Sequence, residues 1–269
     1  MSGLYDILAQ IQNNPSQYLG QTSLPYLFVF LNGYKMARRD LGLKITPEEQ
    51  DFYRNFQPWI QQKLKVKTVN SWANIIQLFC IDREAFQYFF ELLTEFSQRE
   101  KVSEPLPLKE YTWESPQASP PIAGDQSFYQ LLEKIKAKPA LYFGKPSICS
   151  LQAFLEGYYW ARRELKKPLT EQESKFQEFI AGVRAKFHVE TEQTWSSIIL
   201  FYSSNESNAL ETFFKLFDEF LQRPTSPTPS PTQSSSSQGN KKQLLSLVEN
   251  LSEEAIAKVR EFAESLGQP

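Results

Sequence analysis

The chain contains one sequence pattern twice. Residues 5–20 read YDILAQIQNNPSQYLG, and residues 129–144 read YQLLEKIKAKPALYFG, with Tyr, Leu, Ile, Pro, Tyr and Gly at matching positions. The match continues through FLNGYKMARRDL at 30–41 and FLEGYYWARREL at 154–165. Self-similarity over about a hundred residues indicates a tandem duplication of one structural module. Residues present in both copies are therefore candidates for what the module requires.

The duplication divides the 269-residue chain into modules, spacers and a tail. Five prolines between the copies predict an extended spacer, and a Ser/Thr/Pro-rich stretch after the second copy predicts a disordered tether. The predicted organisation is helical module 1 at 1–100, a Pro-rich linker at 101–126, helical module 2 at 127–223, a disordered linker at 224–240 and a C-terminal helical hairpin at 241–269.

Helical periodicity predicts an all-α fold with about five helices in each module. Apolar residues at Leu4, Ile7, Leu8 and Ile11 have the i, i+3, i+4, i+7 spacing of an amphipathic helix, and Pro15 ends it. Alternating strand patterns are missing from the sequence. We also expect left-handed glycines in the connector and Ser or Thr caps at the following helices; these residues are Gly20, Gly144, Ser23, Ser147, Thr46 and Thr170.

Composition indicates a cytoplasmic protein that binds neither nucleic acid nor metal. The formal net charge is −2, which gives no basic field for phosphates. Cys80 and Cys149 occupy non-equivalent places, so neither a disulfide framework nor a thiolate metal site is encoded. The first residues have no basic and apolar leader pattern, and the longest apolar stretch, 24–31, is too short for a membrane span.

Nothing in the sequence predicts an enzyme or a cofactor. The single histidine, His188, corresponds to Lys65 in the first copy, so the two modules cannot share chemistry that needs an imidazole base. Glycine-rich phosphate loops do not occur. Acids shared by both copies could work as acid and base in a cleft, although charged residues on helices more often lie at the surface; these acids are Asp40, Glu164, Glu49, Glu173, Glu95 and Glu219.

Two arginines recur at the end of the motif helix. Arg38 lies on the apolar face with Tyr34, so its guanidinium requires a carboxylate, and we expect an ion pair within each module. The residues proposed for these structural ion pairs are Arg38 with Glu95 and Arg162 with Glu219. The alternative is that the arginines anchor an acidic group of a partner.

Four residues are candidates for binding a partner protein: Tyr18, Arg39, Tyr142 and Arg163. The tyrosines could instead close the end of a core. The glycines within the motif helices, Gly33 and Gly157, lower helix propensity, and we expect close helix packing there. Trp72 and Trp195 are predicted core residues.

The motif resembles a family of small bacterial helical proteins. The string KPALYFGKPSICSLQAFLEGYYWARREL at 138–165 is similar to their P-x-x-Y-x-G turn and F-L-x-G-Y-x-x-A-R helix. The resemblance covers both copies and implies an immunity-type protein. Separately, LLSLVENLSEEAIAKVREFAESL at 244–266 resembles the helices of antitoxin-like proteins, which implies docking on the modules or oligomerisation.

These observations predict a non-enzymatic adaptor or immunity-type protein that binds partner proteins through a duplicated helical surface. The alternative prediction is a small-ligand-binding or hydrolytic protein with an Arg/Tyr/Glu cleft in each module, lined by Tyr34, Arg38 and Glu95 in the first.

Overall fold

A computed structural model describes residues 3–100 and 126–223 and confirms the all-α fold class. Within these ranges every regular element is a helix. Both predicted linkers, except for Gln126, and the C-terminal hairpin lie outside the described residues. The helices are α1 (Leu4–Asn13), α2 (Pro15–Leu19), α3 (Leu24–Asp40), α4 (Pro47–Lys63), α5 (Trp72–Gln77) and α6 (Asp82–Gln98) in the first repeat, and α7 (Gln126–Ala137), α8 (Pro139–Phe143), α9 (Ile148–Glu164), α10 (Glu171–Lys186), α11 (Trp195–Phe201) and α12 (Glu206–Leu221) in the second.

Each repeat has one helix more than the sequence predicts, because the connector after the first helix is itself helical. Pro15 and Pro139 occupy the first turn of α2 and α8, where a missing N–H costs no intrahelical bond. Gly20 and Gly144 end these short helices with φ of 72° and 79°. The left-handed glycines are therefore as predicted, although the helices that they end were not.

The predicted helix starts are confirmed by their caps. The Thr46 hydroxyl accepts the Glu49 N–H at 3.2 Å, and Glu49 Oε2 accepts the Thr46 N–H at 3.1 Å. Thr170 and Glu173 make the same reciprocal pair in the second repeat. Such capping boxes satisfy N–H groups that have no intrahelical partner, which is why α4 and α10 begin at equivalent residues.

Each repeat has an aromatic core around its tryptophan. Trp72 stacks on Phe89 with ring centroids 4.8 Å apart, and Trp195 lies 4.9 Å from Phe213. Both tryptophans are buried, as predicted. The second repeat lacks one residue within α10, and the helix absorbs the loss because spacings of three and four share a face; the matching buried residues are Phe52, Phe56 and Ile60 in α4 and Phe176, Phe179 and Val183 in α10.

The two repeats pack against each other in one compact unit, which spans Met1–Gln222. Helix α3 of the first repeat lies along α9 of the second, and this is the most extensive helix contact in the described ranges. The short helices add to it, since α2 contacts α9 and α8 contacts α3. We call this contact between the repeats the seam. The second unit, Arg223–Pro269, falls almost entirely outside the described residues.

Candidate functional site

Two glycines allow the helices of the seam to touch backbone to backbone. A Cβ on Gly33 would lie 1.9 Å from the backbone oxygen of Phe154, and a Cβ on Gly157 would lie 2.0 Å from that of Phe30. Any side chain at either position would force the helices apart. The close packing predicted for these glycines therefore joins one repeat to the other.

The motif tyrosine of the first repeat reaches across the seam. Tyr34 Oη donates a hydrogen bond to Glu164 Oε2 at 2.9 Å. Burial raises the pKa of Tyr34, and the Glu164 carboxylate raises it further. In the opposite direction, the Asp40 carboxylate raises the pKa of Tyr158, which burial already raises. The motif acid of each repeat thus raises the pKa of the motif tyrosine of the other, and in one direction a hydrogen bond joins them.

Arg38 is held in a buried polar clamp at the start of α4. Its Nη2 lies 3.1 Å from Glu49 Oε1, and the Glu49 side chain is 3% exposed. The same Oε1 accepts the Leu4 N–H at 2.9 Å, while Oε2 accepts the Thr46 N–H. One carboxylate therefore connects the starts of α1 and α4 with the end of α3.

The second repeat has an equivalent ion pair with a different neighbour. Arg162 Nε lies 2.8 Å from Glu173 Oε1, and the Glu173 side chain is 1% exposed. The first turn of α7 is bound by another residue, because the Tyr129 N–H donates to Gln172 Oε1 at 2.9 Å. The arginine–glutamate pair is thus common to both copies. The hydrogen bond from the glutamate to the first helix of the repeat is shown only in the first copy.

The ion pairs differ from the predicted pairing. Glu95 lies at the surface and pairs with Lys63, and Glu219 lies 3.5 Å from Lys186 Nζ. The reason is geometric: the chain turns back after α3, so the first turn of the next helix lies beside Arg38. Glu95, near the end of α6, instead lies beside the end of α4.

Two of the four predicted contact residues are buried at the seam. Tyr18 and Tyr142 are each 8% exposed. The Tyr18 ring lies 4.5 Å from the ring of Trp160 in the other repeat. The carbonyl oxygen of Tyr142 accepts a hydrogen bond from Asn32 Nδ2 of the first repeat, at 3.5 Å. Each tyrosine therefore has a contact with the other copy, in addition to contacts within its own repeat.

The two predicted arginines remain exposed. The Arg163 guanidinium stacks over Trp160 at 4.9 Å, on the ring that also contacts Tyr18. Burial raises the pKa of Tyr142, and the Arg39 guanidinium opposes that rise. Tyr18 and Arg163 thus both contact the Trp160 ring, and the charge of Arg39 acts on Tyr142 of the other repeat.

Each repeat exposes an apolar pair that sequence reasoning missed. At the end of α5, Leu78 and Phe79 are 71% and 53% exposed, and the equivalent Phe201 and Tyr202 at the end of α11 are 81% and 58% exposed. We call these pairs the apolar corners. The signal was present in SWANIIQLF at 71–79 and TWSSIILFY at 194–202, where both copies continue apolar beyond the buried isoleucines.

The sequence-predicted ligand cleft is filled. Tyr34 is completely buried, and the Arg38 guanidinium is bound to Glu49. Glu95 lies apart from both, next to Lys63. These three residues therefore do not line an open cleft.

The single histidine has a backbone role. His188 and the equivalent Lys65 both have positive φ, 52° and 55°, two residues after the ends of α10 and α4. The N–H of the next residue closes each helix end, since Val66 donates to the Gln61 carbonyl and Val189 to that of Arg184. In residues 3–100 and 126–223, no cluster of three or more His, Cys, Asp or Glu side chains could hold a metal ion.

Comparisons with known proteins give no relative. No family model matches the chain, and no curated protein or solved structure is significantly similar to it. Among the described helices, none is both long and apolar enough to cross a membrane.

Proposed function

We propose that this protein is a non-enzymatic adaptor or immunity-type protein that binds partner proteins through its duplicated helical surface. The observation that carries the proposal is the pair of apolar corners. Equivalent positions in the two repeats expose large apolar side chains outside the buried core. Exposed apolar groups that recur in two copies are more informative than single ones, which are common on protein surfaces.

The seam supports this proposal because it joins the two corners in one compact unit. Contacts between α3 and α9 hold the repeats together through the backbone itself, at Gly33 and Gly157. A partner that occupies both corners loses its rotational and translational freedom only once. Its second contact then forms at a high effective concentration.

The same geometry indicates the kind of partner. The corners present aliphatic and aromatic side chains, so a partner should offer apolar pockets of matching size. The repeats contact each other in both directions, as the protomers of a two-fold dimer do. A partner with two equivalent apolar pockets, such as a homodimer, is therefore the best fit.

The proposal is tested by substitution at the corners. Phe79→Glu combined with Tyr202→Glu should reduce capture of the partner from native cells by about tenfold or more, as expected when central apolar contacts are lost. Each single variant should show an intermediate loss, and the purified partner should give the same order of affinities. Leu169→Glu, at an exposed leucine away from the corners, is the matched control.

Equal partner capture by the double variant and the natural chain would contradict the proposal. If the double variant is folded and retains all partners that the natural chain captures, the apolar corners do not form the binding surface. Arg39→Ala combined with Arg163→Ala then tests the exposed arginines, which are the remaining predicted contact residues. Tyr18 and Tyr142 are unsuitable for this test, since both are buried and their loss would disturb the seam.

A further inference from the structure

The first repeat contains a cavity beside the connection between α4 and α5. Its volume is about 390 Å³, within the range of small-molecule sites. Phe28 and Trp72 form an aromatic wall with ring centroids 5.3 Å apart. Lys35 and Arg54 supply cations, and Gln57 adds an amide. We call this space the loop cavity.

The wall of the loop cavity is fastened by side-chain amides of α4. Gln57 Nε2 donates to the Asn70 carbonyl at 2.8 Å, and Gln61 Nε2 donates to the Thr68 carbonyl at 2.6 Å. These bonds hold residues 68–70 against the helix. The cavity is therefore preformed, which reduces the entropic cost of binding a ligand.

The charges of the loop cavity are unbalanced. No Asp or Glu lines it. Lys35 is half-buried, and its Nζ lies 4.3 Å from the centre of the Tyr53 ring. In the part of the chain that the structure describes, no carboxylate lies within ion-pair distance of Lys35. Burial lowers the pKa of this lysine, and the positive Arg39 nearby lowers it further.

The second repeat has not retained these residues. Lys35 corresponds to Tyr159, Phe28 to Gln152 and Tyr53 to Gln177. The ammonium group and two of the aromatic walls therefore belong to the first copy alone. The module fold does not require them, because the second copy folds without them.

We propose that the loop cavity binds a small aromatic carboxylate, with its ring between Phe28, Tyr53 and Trp72 and its carboxylate on the Lys35 ammonium. The aromatic walls match a planar ring, since offset and edge contacts between rings are favourable. The carboxylate supplies the counter-charge that the half-buried lysine lacks. Gln57 and Asn32 also line the cavity.

A pair of probes tests the proposal on the full chain. 1-Naphthoate carries the carboxylate, and 1-naphthamide has the same ring without the charge. Isothermal titration should show naphthoate binding about tenfold or more tightly, as expected for a hydrogen bond between charged groups. Lys35→Gln should remove this difference, and Lys35→Arg should restore part of it.

Lys63→Gln is the matched control. Lys63 also lies over an aromatic ring, 5.4 Å from that of Trp59, but it pairs with Glu95 and does not line the loop cavity. This variant should keep the preference for naphthoate. Circular dichroism and the urea midpoint confirm that each variant is folded.

Three results would overturn the proposal. They are equal affinities of the natural chain for the two probes, no binding of either probe up to its solubility limit, and an unchanged naphthoate preference in folded Lys35→Gln. The partner-binding proposal is unaffected by any of them, since the apolar corners share no residue with the loop cavity.

Discussion

The seam and the loop cavity are built from different classes of residue. The seam uses residues that both copies contain, such as Gly33 with Gly157 and Tyr34 with Tyr158. The loop cavity depends on Lys35, which has no cationic counterpart in the second copy. The residues that join the repeats are thus among those that both copies contain, whereas Lys35 is not required by the module fold. A small-ligand site is therefore sought where the repeats differ, and a repeated partner surface where they agree.

The seam resembles the interface of a two-fold homodimer, although both halves belong to one chain. Gly33 faces Phe154, and Gly157 faces Phe30, so each surface contacts the equivalent of itself. This is the isologous arrangement of two-fold dimers. The repeated motif is therefore best understood as an interface motif.

The largest expected effect is at the seam glycines. Gly33→Ala would place a methyl group 1.9 Å from the backbone oxygen of Phe154, and a backbone cannot move aside as a side chain does. We expect the free energy of unfolding to fall by about 3 kcal/mol, the upper end of typical overpacking costs. Urea titration followed by tryptophan fluorescence measures it.

Gly182→Ala is the control for this prediction. Gly182 lies within α10, and nothing lies within 4 Å of a Cβ placed there. The substitution should therefore raise the free energy of unfolding by about 0.5–1 kcal/mol. A Gly33→Ala variant that is as stable as Gly182→Ala would show that Gly33 is not tightly packed against α9.

An effect of similar size is expected at the buried clamp. Glu49→Gln leaves the Arg38 guanidinium without its carboxylate in a largely buried position. We expect a loss of about 3 kcal/mol, because an unpaired buried charge is costly. Glu95→Gln, at the exposed pair with Lys63, should cost less than about 1 kcal/mol in the same urea titration. Similar losses for both variants would contradict the assignment of Glu49 as the partner of Arg38.

A smaller effect is expected for the hydroxyl that crosses the seam. Tyr34→Phe removes the donor to Glu164 and should cost about 1–2 kcal/mol near neutral pH. Burial and Glu164 raise the pKa of Tyr34 in the folded state. The contribution of the protonated Tyr34 hydroxyl to the free energy of unfolding is therefore complete below the ordinary tyrosine pKa of about 10 and is lost as pH rises above it. The stability of the natural chain should thus decline in alkali.

Urea midpoints measured between about pH 8 and about pH 11 test this dependence. Tyr34→Phe should make the alkaline decline shallower, and other buried tyrosines with raised pKa values should account for the remainder; these are Tyr26, Tyr53, Tyr158 and Tyr159. A Tyr34→Phe variant whose stability falls as steeply as that of the natural chain would show that Tyr34 is not coupled to the seam.

The smallest effect on stability is expected at the loop cavity. Lys35→Met removes a half-buried cation that has no described carboxylate partner and keeps an apolar chain of similar length. Its free energy of unfolding should stay within about 1 kcal/mol of the natural value or rise slightly. A large loss in thermal or urea unfolding would mean that Lys35 serves the fold rather than a ligand.

Local features were predictable from the sequence. The caps at Ser23 and Thr46 and the left-handed Gly20 follow from short-range chemistry, and the structure contains all three. The five-residue helices α2 and α8 were missed because so short a helix shows no periodicity.

Contacts between distant segments were not predictable in the same way. Nothing in the sequence distinguishes Glu49 from Glu95 as the partner of Arg38, since the choice depends on where α4 and α6 lie. For the seam, one signal was available: the apolar residues of α3 are too numerous for one helix face, which is typical of a helix buried on two sides. The sequence still could not show that the second partner is the other copy.

An NMR measurement on the isotope-labelled full chain tests whether α3 and α9 join the two repeats at the seam. A Cβ on Gly33 would lie 3.1 Å from the Tyr158 nitrogen, so the Gly33 α-protons lie close to the Tyr158 amide proton. If the repeats are joined at the seam, a nuclear Overhauser effect connects these protons. Strong effects within each repeat, together with none between α3 and α9, would contradict the account.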